Sequence, residues 1–577
     1  MAVLVVYLYP QDFKRLSKIE KSKEKSDMVR CLNKAVAIMA ALAISFMPAS
    51  ATFAADNFAG ISLTPVPSAN PKAPGFAAAN ILSVELTGAI VAQGSFKLEN
   101  PSDLTSYYGY DNDGPQLPAA GDLPAVGHKV EASKTEPDKN TYLVLDHQHG
   151  ADPQYDYGTH FLFQGHELGA GGQGYITRIN LDADGAHRVT LLAIKDVNGN
   201  SVPTIDGSTW YPFSHRLLFT SESGANASVV QATPDFPATV EDISGILGRG
   251  GYEGIQSDRF GRLIIVEDVG GKTGTVNTHA RQPNSFIYRL LPTSPFDLKL
   301  GGKLQVLQVL SRAHAGPVVF GSDADADILS QDVKDLHTYG LQFQTNWMTI
   351  HDTAVQGNAP FSANAAAKLA GGTPFKRPEN GQFRPGTNFS EFIFDTTGDT
   401  NALTEAGSAF GGFGALFRLQ LFGDKGLLSL VYNGDVAHAG FDNCAFWDAN
   451  RIVFVEDAGD TLHTQRNALD SAWLFDLNTD YSNPASQPVR ILAEGRDASA
   501  TLDSQFSGMP GFQNDGDNEI TGWHLSDGDP TVNGLLGAKI PTPFRGGWRL
   551  FYTQQHGDNN TWEILRSPAD SGGNSRD

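Results

Sequence analysis

One short pattern returns along this chain and restricts its fold more than any other feature. A run of apolar residues opens on a polar or basic position, ends on paired polar residues and is closed by glycine. His215 to Gly224 is one copy (His-Arg-Leu-Leu-Phe-Thr-Ser-Glu-Ser-Gly). Gly261 to Gly270, Asn450 to Gly459 and Trp548 to Gly557 are three more, and Glu391 to Gly398 is a weaker one. Each reads as a short buried strand running into a turn. Aromatic-rich second strands follow two of them, at Ser285 to Leu290 and Ser471 to Leu477. The first two copies start 46 residues apart, at positions 215 and 261, which is the period of a propeller blade. The wider gaps between the others read as insertions. The expectation is an all-β chain folded as a β-propeller with insertions. In a propeller the inner strands run along a central channel, and polar residues at their ends converge on one mouth. Read as inner strands, the copies make Ser221, Glu222, Glu267, Asp268, Glu456 and Asp457 candidates to ring that mouth. The alternative is that these pairs cap their blades by accepting from nearby backbone N–H groups.

Composition agrees with many short strands. Among 577 residues there are 61 Gly and 31 Pro but only 18% charged residues, while 34 Phe and seven Trp supply a large core. The formal net charge is −22, and residues 1–51 are net basic, so the remainder is more acidic still. Such a surface disfavours nucleic acid and anionic lipid. It suits a protein that gathers cations, and equally one that is simply soluble.

The N-terminal segment reads as a targeting signal. Met28 to Lys34 is basic, Ala35 to Met47 is uncharged and too short to cross a bilayer, and Ala49-Ser50-Ala51 fits a cleavage site, with Thr52-Phe53-Ala54 as the alternative. Residues 1–54 are therefore expected to be an extension plus signal peptide. They deliver a protein to the periplasm or beyond that has no membrane contact after cleavage; the alternative is an uncleaved anchor. Residues 55–140, rich in Pro, Ala, Gly and Ser, read as a loose N-terminal arm, 141–566 as the propeller and 567–577 as a tail. Cys31 leaves with the signal, so only Cys444 remains and no internal disulfide is possible. No twin-arginine pair precedes the apolar run.

Ala365 to Glu379 carries the densest chemistry. An Ala-rich helix stops at Gly371-Gly372, and a turn then delivers Arg377, Pro378 and Glu379 side by side. An arginine fork binds phosphate or carboxylate through parallel hydrogen bonds, and a carboxylate oxygen holds a hard cation such as calcium. Proline narrows how the two are presented. The alternative is a surface ion pair. Five other places bear polar groups in suggestive company. His166-Glu167 sits at a hairpin turn, and Glu253 lies in the glycine-rich Gly250 to Gly254. Phe441-Asp442-Asn443 and Glu519-Ile520-Thr521-Gly522 open later strands. Asp146-His147-Gln148-His149 reads either as a transition-metal site or as a surface loop. There is no nucleophile elbow, Walker loop, H-E-x-x-H or paired CxxC, and Gly169 to Gly174 lies in a hairpin, not between a strand and a helix.

Together these pieces resemble the PhoX-type alkaline phosphatases, a family of exported six-bladed β-propellers. The similarity runs from about Phe161 to Thr561 and is most specific at Ala365 to Glu379. His166-Glu167, Leu218 to Glu222, Tyr252-Glu253, Glu519 to Gly522 and Gln554 to Gly557 support it. The resemblance implies a monomeric phosphoesterase that hydrolyses small phosphate monoesters at a cluster of calcium and iron ions. By that resemblance Arg377 and Glu379 are catalytic. Arg377 and His556 bind substrate, and Glu222, Glu253, Glu379, Glu167, Asp268 and Asp457 are metal ligands. Two departures stand out. Ser221 occupies the position of the family's thiolate ligand to iron, and Ser223 that of the acidic residue after it. A hydroxyl is a far poorer ligand for ferric iron, so Ca2+ is expected in preference to Fe3+. Ser221 motivates one alternative, a non-catalytic propeller that binds a ligand or partner; an acidic funnel also fits another, a calcium-dependent propeller lactonase.

Overall fold

Short aromatic and β-branched runs separated by glycine turns leave this chain little choice but antiparallel pairing with near neighbours, and the computed structural model shows that pairing repeated around a ring. It describes residues 62–66, 70–71, 79–110, 135–167, 172–224, 227–495, 519–555 and 559–568. The architecture lies within Leu63–Asp577, one compact unit; Ser62 is the only described residue outside it. Residues 1–54, where a signal peptide is expected, and His556 fall outside the described residues.

Two strands precede the blades, β1 (Ile81–Leu82) and β2 (Leu86–Ala92). The first blade is β3 (Pro137–Val144), β4 (His160–His166), β5 (Ile176–Asn180) and β6 (Val189–Ala193). The second is β7 (Ser208–Tyr211), β8 (Arg216–Phe219), β9 (Val230–Ala232) and β10 (Val240–Asp242). The third is β11 (Tyr252–Ser257), β12 (Leu263–Glu267), β13 (Ile287–Pro292) and β14 (Gly302–Val309). After an inserted strand β15 (Gln342–Asp352) comes the fourth, β16 (Gly381–Phe383), β17 (Glu391–Thr396), β18 (Ala415–Phe422) and β19 (Lys425–Asn433). The fifth is β20 (Phe441–Phe446), β21 (Arg451–Glu456), β22 (Ser471–Asp476) and β23 (Val489–Ala493), and the sixth β24 (Glu519–Ser526), β25 (Arg549–Gln555) and β26 (Asn560–Arg566). Strand β15 pairs with β14 on one side and β19 on the other, so the third and fourth blades share one nine-stranded sheet.

The first strands of the blades, β3, β7, β11, β16, β20 and β24, each pack beside the next, and β24 returns to β3. The ring is closed: this is a six-bladed β-propeller. The N-terminal arm joins the fold at its outer edges. Strand β2 pairs with β26 and completes the sixth blade, Leu86 opposite Arg566, while β1 pairs with β23 on the fifth. The core lies between blades, where facing sheets interdigitate. Phe161 and Phe163 meet Leu217 and Phe219, Val266 and Ile287 meet Phe394 and Phe417, and Ile393 and Leu416 meet Phe441 and Phe475.

The recurrent sequence pattern is the second strand of each blade, not the innermost one. Strands β8, β12, β17, β21 and β25 all lie one step out from the channel. Antiparallel pairing puts the C-terminal end of a second strand at the same end of the blade as the N-terminus of its inner strand. Both sets of polar residues therefore reach the same mouth. A chain starting at Gln93 lacks β1 and β2 and leaves β26 as an open edge. Its thermal midpoint is expected to fall and its unfolding to broaden in calorimetry; an unchanged transition would show that this pairing does not hold the ring shut.

Candidate functional site

The inner strands place one carboxylate apiece at the mouth. Asp138 stands on β3, Asp206 just before β7, Glu253 on β11, Glu379 just before β16, Asp442 on β20 and Glu519 at the start of β24. In three blades the strand bulges where the carboxylate sits. Register slips between Pro137 and Asn140, between Tyr252 and Ile255 and between Phe441 and Cys444. A bulge re-aims a side chain out of the pleat, here Asp138, Glu253 and Asp442. A second tier comes from the ends of the second strands, with Glu167 after β4, Glu222 after β8, Asp268 after β12 and Asp457 after β21.

The two tiers interlock. Asp138, Glu167 and Glu519 form one group with oxygens within 4.8 Å of one another, as do Glu167, Asp206 and Glu222, then Glu222, Asp268 and Glu379, then Glu253, Glu379 and Asp442. The four triads share members and run around the mouth as one arc. Burial pushes Asp138, Glu167, Asp206, Glu222, Glu253, Glu379 and Glu519 well above the usual carboxylate range, and their mutual repulsion adds to it. Asp457 contributes to that repulsion at Glu519 and Glu167. The buried oxygens of Glu253, Glu379 and Asp442 lie within 4.8 Å of one another, so a proton or a cation among them would relieve their repulsion. Glu222 Oε1 is buried without a hydrogen-bond partner. An all-oxygen donor set with an orphaned buried oxygen fits a hard cation.

Arg377 is the cation at this mouth. Its Nε donates to both Asp268 oxygens at 3.0 and 2.8 Å, and its Nη2 lies 2.7 Å from Asp268 Oδ2 and 3.2 Å from Glu379 Oε1. Those carboxylates hold the guanidinium's pKa above its usual value despite burial. The residue sits at φ 56°, a left-handed conformation that a non-glycine residue before proline adopts only when its surroundings impose it. The surroundings do so at several points. Thr397 N donates to Arg377 O at 2.8 Å, and Gly254 N donates to Glu379 O at 2.8 Å. The neighbouring Lys376 Nζ lies 2.7 Å from Asp399 Oδ2 in a buried pair. Thr397 also hydrogen-bonds the Glu379 carboxylate. The Ala-rich helix Ala363–Leu369 is fixed in turn, since Asn364 Nδ2 donates to Glu267 Oε2 at 3.1 Å. Below the carboxylates, Lys139 Nζ donates to Asn380 Oδ1 at 2.8 Å, and Asn380 Nδ2 to Glu253 Oε1 at 3.2 Å.

The paired residues of the repeat divide between two roles. Glu267 accepts from Phe286 N at 3.1 Å and Tyr288 Oη at 2.8 Å, and Glu456 accepts from Ala439 N at 3.2 Å and Arg466 Nη2 at 3.1 Å. Both hold their blades together, while their neighbours Asp268 and Asp457 contribute charge at the mouth. Ser221 is buried behind Glu222, its hydroxyl 3.4 Å from that of Ser223. Asp146, His147 and His149 are exposed and belong to no group of metal-holding side chains among the described residues. Sequence reasoning passed over Asp138 and Asp206, along with Lys139 and Asn380. The signal that finds them is a carboxylate in or just before the short strand that opens each blade.

No protein-family model matches this chain, and no curated protein matches it in sequence. Among solved structures it is similar to Pseudomonas fluorescens PhoX in complex with vanadate, a transition-state analogue, with a TM-score of 0.49 and 10% identity over 86% of this chain and 98% of that one. It is also similar to TolB from Acinetobacter baumannii, at 0.27 and 11% over 75% of this chain and 64% of that one. A polysaccharide lyase of family PL25, an ulvan lyase bound to its oligosaccharide, scores 0.30 with 9% identity over 75% and 97%. The propeller assignment rests on the closed ring of inner strands and not on these likenesses.

Raised carboxyl values have a defined consequence for stability. The folded state binds protons that the unfolded chain releases near 4.5, the ordinary value for glutamate, so stability present below that value is lost as pH rises through the folded values. Chelated protein should therefore melt at a higher temperature at pH 5.5 than at pH 8. Calcium at about 100 times its dissociation constant should add about 2.7 kcal/mol, with the larger gain at pH 8. A melting point that rises with pH, or that ignores calcium at both, would contradict this electrostatic account.

Proposed function

We propose that this protein is an exported, calcium-dependent phosphoesterase that hydrolyses small phosphate monoesters at the channel mouth. The observation that carries the reading is Arg377, held in a left-handed backbone among four overlapping carboxylate triads. Glu222, Glu253, Glu379, Glu167, Asp268 and Asp457 would hold the cations, and Asp138, Asp206, Asp442 and Glu519 extend the same oxygen set. Bound calcium would supply charge neutralisation at the phosphoryl oxygens and activation of an oxygen nucleophile. Arg377 would orient the phosphoryl group through its planar fork. Its partners Asp268 and Glu379 keep it charged and aimed into the mouth. Glu379, 3.2 Å from Arg377 Nη2, would act with it in catalysis by holding a cation beside the phosphoryl group. His556, which lies outside the described residues, is kept as a substrate-binding candidate on the sequence resemblance alone. Iron held through a thiolate is not part of this reading, because Ser221 offers only a hydroxyl.

Ser221 and Ser223 favour a second reading, a propeller that binds a phosphorylated ligand without turning it over. Hydrolysis of a chromogenic phosphate monoester separates the two when assayed on chelated protein and after calcium or iron is returned. Activity restored by calcium alone is expected, and folded protein inactive with either metal leaves the binding reading. Arg377→Ala and Glu379→Ala are each expected to lower kcat/KM by about 10²–10³-fold with circular dichroism unchanged; wild-type turnover in either would remove that residue from the chemistry.

A further inference from the structure

Beside the mouth lies a cavity of about 410 Å³, whose lining includes Gly270, Lys272, Gln282, Asn284, Lys368 and Pro374. Two chain segments tie it to the proposed site. Gly270 follows two residues after Asp268, and Pro374 precedes Arg377 by three, so the cavity begins within about 10 Å of the Arg377–Asp268 pair along extended chain. All its segments lie at the mouth end of the third blade, in the links after β12 and β14 and before β16.

In a chain of net charge −22 this cavity is lined by cations. Lys272 and Lys368 both line it, and Arg281 reaches over its edge, its guanidinium 2.6 Å from where a Cβ on Gly270 would stand. None of the three makes a side-chain ion pair among the described residues. The acidic groups nearby already have partners, Asp327 at the cavity wall itself. Asp327 accepts from Gln282 Nε2 at 2.5 Å and Gly321 N at 2.9 Å, and Asp399 pairs with Lys376. Glu267 attracts Lys368 from below, yet it is buried and bonded to Tyr288, Phe286 and Asn364. Asn284 and Gln282 add amide groups, and Phe286 and Phe320 give the cavity an apolar wall. Three exposed cations at one cavity, none in a side-chain ion pair among the described residues, suit an anion, and the apolar wall suits a short carbon chain leading to it.

We propose that this cavity binds a second anionic group of the substrate, a carboxylate or further phosphate, so that the preferred substrates are phosphate monoesters bearing a distal negative charge. The inference rests on the phosphoester reading of the mouth, with Arg377 taking the ester phosphate and Lys272, Lys368 and Arg281 the distal anion.

Calorimetry on calcium-loaded full-length protein tests it without turnover. The probes are alkylphosphonates and ω-carboxyalkylphosphonates with two to five methylenes. At one or more lengths the carboxylate is expected to tighten binding about tenfold, and Lys272→Gln with Lys368→Gln should abolish that gain while leaving the plain alkylphosphonate unaffected. Equal binding of both series at every length, or a carboxylate gain that survives the double substitution, overturns the subsite alone. If neither series binds wild-type protein, the phosphate reading of the mouth falls and the subsite with it. Melting curves of the double variant confirm that it folds.

Discussion

Closure of the inner ring is the constraint on which the rest of this structure depends. Six short strands packed side by side around a channel force their N-terminal residues to one end. Antiparallel pairing then delivers the second strands' C-terminal residues to that same end. No blade holds more than a fragment of the site, since each carboxylate triad draws on two or three blades. The mouth exists only because the ring is complete.

That geometry concentrates like charge where water is scarce. Two carboxylates with oxygens within 4.8 Å repel by about 3–4 kcal/mol at an effective dielectric of 20, and four linked triads multiply the cost. A fold that tolerates this has a use for it. The left-handed Arg377 is a second such cost at the same spot, and the buried Lys376–Asp399 pair and the Thr397 contacts beside it show the surroundings organised to hold the strain in place.

The propeller was legible because the second strands are buried and end on polar pairs before glycine, as in Leu263 to Asp268 and Ile452 to Asp457. The inner strands were not, for physical reasons. Strand β16 has three residues and β7 four, too few to show a period. At β3, β11 and β20 a bulge breaks the alternation at the functional side chain. Asp138 therefore fell within the loose arm, and nothing in the sequence singled out Asp206. Glu267 and Asp268 show the complementary limit. The sequence marks the pair, but adjacent residues in a strand face opposite ways, and only the fold reveals which side is the channel.

The pairing of Leu86–Ala92 with Asn560–Arg566 also sets an order of events in time. These segments are separated by nearly the whole described chain, so their union is the most non-local contact in the fold and among the slowest to form. A chain emerging from a ribosome or a translocation channel cannot finish its sixth blade until Asn560–Arg566 has cleared the exit. Until then the early blades must persist with an open seam, a bare strand edge vulnerable to pairing with a neighbour. The time for which that seam stays open is thus set by the chain length between the two segments and not by the final stability of the ring.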